Sequence, residues 1–190
     1  MLEFEQIKKN YEKYVNFCRK YLNDDNKDAF ERFIEDFGEK LIMCPASQRD
    51  AYHSSFPGGL VLHSINVLNM FTHTFIKNPS ESELKTLVTI SLLHDIGKLG
   101  TLEEDYYIES FDKWRNYTIN ENLKSLSAAH RTIQILNNYG FKLTDDEFTA
   151  ILNSYLFIKE DRNINIFSLQ NIVLQLAMSK VLTIKKEKQS

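Results

Sequence analysis

Apolar side chains at Phe4, Ile7, Tyr11, Val15, Cys18 and Leu22 recur every three or four positions. That stripe predicts an amphipathic helix over residues 2 to 22. The polar run Asn23-Asp24-Asp25-Asn26 interrupts it, and Phe30, Phe33, Ile34, Phe37 and Leu41 restart the same spacing until Pro45. A turn-rich stretch containing Tyr52-His53, Pro57 and Gly58-Gly59 follows. From Leu60 onward, Val61, Leu62, Ile65, Val67, Leu68 and Phe71 predict a largely buried helix that ends before Asn78-Pro79. Ser80 and Glu83 have the spacing of a capping box, in which each side chain satisfies an orphan amide of the first turn. The next helix therefore starts there, carries Leu84, Leu87, Val88, Ile90, Leu92 and Leu93, and stops near Gly97.

Between Lys98 and Asn120 the period changes to short aromatic and β-branched clusters, Tyr106-Tyr107-Ile108 and Trp114 to Ile119, which predicts a loop with a small hairpin near residues 104–120. Helical spacing resumes from Leu123 to Tyr139, with Gly140 suited to the residue just past a helix end. Thr144-x-x-Glu147 is a second capping box and opens a helix to about Phe157. A last helix is expected over Leu169 to Ile184, ahead of a solvated basic tail at residues 185–190. The expected architecture is all-α: a compact bundle of six or seven helices with one small hairpin inserted. It is read as one domain, residues 1–190, in which an N-terminal helical pair (1–44) packs on a core spanning 51–184.

Composition adds limits to this picture. The 190 residues, 43% of them hydrophobic, suit one core of ordinary size, since domains run to roughly 100–200 residues. Six glycines and three prolines are few for an all-β chain full of tight turns. With 23 basic and 26 acidic side chains the net charge is −3, which argues against a dedicated nucleic-acid binder. A small anionic ligand stays compatible with that charge, because a buried site can be locally positive. Cys18 and Cys44 lie in separate segments without CxxC spacing and read as buried thiols of an intracellular protein. No secretory signal opens the sequence, and no run approaches the ~18 apolar residues of a membrane span. The expectation is a cytoplasmic protein without a membrane partner.

The chemistry concentrates on histidine. Of the five histidines, His94 is followed by Asp95 at the end of an apolar helix, and an imidazole and a carboxylate there are costly unless paired or bound to a metal. Adjacent helical side chains diverge by about 100°, so both can face one metal only where the helix end is re-aimed. Gly97 permits a sharp exit and Lys98 supplies a cation. His63, within Leu60-Val61-Leu62-His63-Ser64, taken alone fits a core histidine bonded to a backbone carbonyl. Taken with His94-Asp95 on the next buried helix, it completes a mixed nitrogen and oxygen set suited to Mn, Fe, Ni, Zn or Mg. His73 is turned about 80° from His63 at 3.6 residues per turn and reads as structural.

The run from His53 through Phe56-Pro57-Gly58-Gly59-Leu60 to His63-Ser64, followed by His94-Asp95-Ile96-Gly97-Lys98, resembles the HD-domain superfamily of metal-dependent phosphohydrolases. Tyr106-Tyr107, Trp114-Arg115 and His130-Arg131-Thr132 are further similar to compact HD proteins of phage and bacterial genomes. The resemblance implies a helical fold and a hydrolase of nucleotides or related phosphoesters. By it, His63, His94 and Asp95 are metal ligands, and Asp95 and Lys98 are catalytic. Lys98 also faces the phosphate, while His53 at the pocket rim and Arg131 help bind substrate.

Departures from that pattern are equally specific. The last-helix carboxylate of the family falls on Met178, within Leu176-Ala177-Met178-Ser179-Lys180, and a thioether is a poor ligand for hard metals. The second-metal positions fall on Ala128 and on Asn153-Ser154, so one ion is expected instead of two. His130 is shifted round its helix and reads as structural or accessory. Arg131 fits either bidentate phosphate binding or a helix-surface salt bridge. Two functions are thus in view: a phosphohydrolase of weak activity, or a catalytically silent HD fold that binds a nucleotide or a protein partner. Tyr106 and Trp114, expected to be exposed, suit a pocket lid or a contact between copies, so a homo-oligomer is compatible with the sequence.

Overall fold

The computed structural model describes residues 2–49, 54–75 and 78–154. Six α-helices and one hairpin occur among them: α1 (Phe4–Tyr21), α2 (Asp24–Met43), α3 (Gly59–Met70), α4 (Glu81–Leu93), β1 (Tyr107–Glu109), β2 (Tyr117–Ile119), α5 (Ala128–Tyr139) and α6 (Asp145–Asn153). The all-α bundle with a hairpin insertion is therefore what the chain adopts. The expected last helix, the basic tail, His53 and Met178 lie outside the described residues.

The local signals act as their chemistry predicts. Ser80 and Thr144 accept from the backbone N–H of Glu83 and Glu147, and each glutamate side chain returns to the cap amide, so both capping boxes are formed. Gly140 takes the left-handed conformation that ends α5. The hairpin is antiparallel, with Ile108 opposite Thr118. After α3 the chain widens into a π-helical turn, Phe71–Phe75, in which the His73 ring lies 2.7 Å from the Asn69 carbonyl. His73 is exposed and held by its own turn, as a structural histidine would be.

Two expectations are corrected. The helical spacing read from Leu123 does not start a helix there; α5 begins at Ala128 behind a Ser127 cap, and Leu123 closes a short 3-10 turn. Leu123 is apolar because it packs with Tyr106 and Ala128 in a small cluster of its own. Tyr106 is consequently buried, at 7% exposure, whereas Trp114 is 82% exposed. Phe4 heads the first stripe in sequence yet stays in solvent at 65%.

One continuous apolar cluster joins residues of all six helices. The N-terminal pair packs as a unit: α1 lies against α2, α3 and α4, and α2 against α3 and α5. Stacked and edge-on rings of Phe33, Phe37 and Tyr139 seal α2 onto α5. Tyr14 is fully buried, and its hydroxyl donates to the Leu92 carbonyl at 2.6 Å, fastening α1 to the last turn of α4. Tyr14→Phe is expected to lower stability by about 1 kcal/mol, the net value of one such hydrogen bond, as measured by urea unfolding. No helix among the described residues is long and apolar enough to cross a membrane.

Candidate metal centre

The start of α3 meets the end of α4, which is how antiparallel neighbours bring His63 to His94. His94 keeps helical dihedrals, but Asp95 leaves them with φ −110° and ψ 4° before a 3-10 turn over Ile96–Leu99. That break is the re-aiming required for two successive side chains to converge. The turn can lie flat on α5 because residue 97 has no side chain: a Cβ there would sit 2.0 Å from the Ala128 carbonyl oxygen and 2.6 Å from the Thr132 nitrogen. Thr132 then clamps the junction. Its hydroxyl donates to the His94 carbonyl and accepts from the Gly97 N–H, each at 2.9 Å. Local patterning does not mark Thr132 for this task; it is recognisable only once α5 is laid on the turn.

The resulting cluster is buried. His63, His94, Asp95 and Lys98 are all buried, none more than 5% exposed. The Nε2 atoms of His63 and His94 lie 3.6 and 3.5 Å from the same carboxylate oxygen, Oδ2 of Asp95, and one donor atom from each of the three residues falls within 4.8 Å of the others. The two rings are 5.4 Å apart between centroids. His94 Nδ1 is 2.9 Å from the Ser91 carbonyl. A carbonyl can only accept, so Nδ1 carries the proton, and in the neutral ring Nε2 presents a lone pair. That Nε2 is buried without a hydrogen-bond partner. A backbone carbonyl that fixes the tautomer from behind is the usual support of a metal-binding histidine.

The electrostatics fit a cation between these groups. Burial opposes ionisation of Asp95, but the Lys98 ammonium, joined by His94 and His63 when they are protonated, outweighs it and holds the carboxyl well below the usual carboxylate range. The donor set of two imidazoles and one carboxylate, all within 4.8 Å, can hold a metal ion.

Lys98 is closer to Asp95 than expected of a cation reserved for phosphate. Its Nζ lies 2.6 Å from Asp95 Oδ2 and donates to the Ala46 carbonyl at 2.7 Å. Lys98 also lines a cleft of about 400 Å³ with Lys40, Cys44, Asp105, Tyr107 and Tyr117. Lys40 bridges Asp105 at 3.0 Å on that rim. The Cys44 thiol is pushed up by burial and donates to the Lys98 carbonyl, which makes it a packing group instead of a thiolate ligand.

Arg131 does not form the helix-surface salt bridge expected of an exposed side chain. It is buried, and its guanidinium donates to the Leu123 carbonyl at 2.7 Å, leaving Nε without a hydrogen-bond partner. His130 is exposed, with its ring nitrogen 2.7 Å from the Ser127 hydroxyl at the helix cap. Ala128, the position matching a second-metal histidine in the resemblance, is buried against Gly97. Asn153 and Ser154 are buried as well, and the Ser154 hydroxyl is spent on the Ile151 carbonyl. Searches against family models, curated proteins and solved structures find no match to this chain.

Proposed function

We propose that this protein is an HD-type, metal-dependent phosphohydrolase acting on a nucleotide or a related phosphoester, with His63, His94 and Asp95 as ligands of one divalent cation. The observation that carries the reading is the pair of buried imidazole Nε2 atoms facing one carboxylate oxygen at 3.6 and 3.5 Å. The His94 lone pair set against a carboxylate in a buried interior is costly, and a cation shared among the three groups removes that cost. Mn, Fe, Ni, Zn and Mg all suit such donors. Bound there, the ion would act as a Lewis acid on a phosphoryl oxygen and lower the pKa of a coordinated water.

The chain's own groups do the rest. Ser91 orients His94, Thr132 holds the re-aimed turn, and Asp95 supplies the anionic ligand. Lys98, at the cleft wall, neutralises Asp95 and turns towards a phosphate when one enters, adding positive charge where negative charge develops. His53 and Arg131 are assigned to substrate binding in this reading.

A second reading is favoured by the Lys98–Asp95 contact at 2.6 Å. A lysine that already satisfies the carboxylate suits a silent HD fold, and Met178 in place of a family carboxylate points the same way. Metal analysis, divalent-cation titration and a hydrolysis panel of nucleotides and phosphodiesters separate the two. One bound ion, and turnover that disappears in folded His94→Ala, is the expected result. Affinity for the ion should also fall as the solution is acidified, because protons compete for the imidazoles. Absence of both bound metal and His94-dependent turnover would select the silent fold.

A further inference from the structure

The hairpin ends in a well-built turn that presents its largest side chains to solvent. Phe111 is fully exposed and Trp114, the single tryptophan of the chain, is 82% exposed. The turn is not loose. Ser110 bonds the Asn116 carbonyl, the Asp112 carboxylate accepts from the Trp114 N–H, and Asn116 anchors the arm to the carbonyls of Gln48 and Ser55. Two aromatic rings held out on a preorganised arm mark an interaction surface, and preorganisation lowers the entropic cost of using it.

We infer that this surface receives a second copy of the chain, the two hairpin arms lying antiparallel so that the tip of each enters the cleft at the base of the other. Charge and geometry both favour this occupant. At the tip Arg115 and Asp112 neutralise one another at 3.4 Å, which leaves Lys113 as an exposed positive charge without an ion pair among the described residues. At the cleft Lys40 is matched by Asp105 and Lys98 by Asp95, which leaves the exposed Glu39 and Glu109 on the rim as negative charges unmatched among the described residues. Met43, Pro45, Pro57 and Tyr117 supply apolar wall for the rings.

The cleft is lined partly by the arm itself, through Tyr107, Glu109 and Tyr117. Phe111 is four residues along the chain from Tyr107, about 13 Å at ~3.3 Å per strand residue. Two arms side by side in opposite directions therefore place each tip at the other's base, an isologous contact that closes on a two-fold axis. Four aromatic rings bury at most about 600–1,000 Å² at 150–250 Å² each. That is below the ~1,200–2,000 Å² of stable interfaces, so the dimer is weak and concentration-dependent. It does not require that the cluster hold a metal, and because the tip and a phosphoester would share this cleft beside Lys98, the two exclude one another there.

Analytical ultracentrifugation and Trp114 emission across a wide concentration range test the inference on the intact chain. Reversible dimerisation with a matching blue shift of the emission is expected. Phe111→Ser should weaken association by about tenfold or more, as loss of a buried aromatic anchor does. Lys113→Glu should also weaken it, and adding Glu39→Lys and Glu109→Lys to that variant should restore it. These are exposed side chains, so the fold is kept. A monomer at every concentration, a Trp114 emission already blue-shifted at the highest dilution, or a dimer indifferent to Phe111→Ser and to the charge reversals would overturn the proposal.

Discussion

Asp95→Ala is expected to cost about 3–5 kcal/mol of folding stability, the range for breaking a buried ion pair by removing one partner. The reason is Lys98. Lys98 is 5% exposed and its Nζ has Asp95 Oδ2 at 2.6 Å, so the alanine variant leaves a charge buried with little to balance it. A loss of that size is a large part of the ~5–15 kcal/mol that holds a typical domain. Urea unfolding of the variant measures it. Removing both charges with Asp95→Asn and Lys98→Met should recover most of the stability, because an ion pair replaced as a pair costs little. If the double variant is as unstable as the single one, the penalty comes from packing and not from the stranded ammonium. The carboxyl is held below its ordinary range, so this contribution is complete above the ordinary carboxylate pKa of about 4 and declines only as the pH falls further.

Gly97→Ala should be comparably damaging, at about 3 kcal/mol, the upper part of the usual cost of overpacking. The conflict is with backbone: the added Cβ would lie 2.0 Å from the Ala128 oxygen and 2.6 Å from the Thr132 nitrogen. No flexible side chain can move aside, so α5 must retreat from the 3-10 turn. That retreat stretches the Thr132 bonds to His94 and Gly97 and releases the turn that aims Asp95. The variant should therefore lose divalent-cation binding along with stability. Urea unfolding and cation titration on the same sample would show it. A stable Gly97→Ala that binds as well as the parent chain would mean that the turn is not what positions Asp95.

How much of this was legible in the sequence varies with the range of the interaction. Both capping boxes, the Gly140 stop and the hairpin rest on contacts between residues a few positions apart, and those contacts form as read. The Leu123 error has the opposite origin. Its apolar side chain matches helical spacing, but it answers to Tyr106 on the hairpin, a partner that spacing cannot reveal. Arg131 is a similar case, since its buried bond to the Leu123 carbonyl depends on the turn that precedes α5.

The candidate site divides along the same line. His63, His94 and Asp95 are recognisable from residue type alone, because polar groups set in apolar helices demand a partner. Their convergence on one carboxylate oxygen follows from α3 meeting the end of α4 and from the break in the backbone at Asp95. The engagement of Lys98 by Asp95, and the clamp by Thr132 from 38 positions away, belong to the packed chain as well. Local hydrogen bonds and hydrophobic period are written in neighbouring residues. Which buried charge faces which donor is set by helices brought together from distant parts of the chain, and it becomes readable only when they are in place.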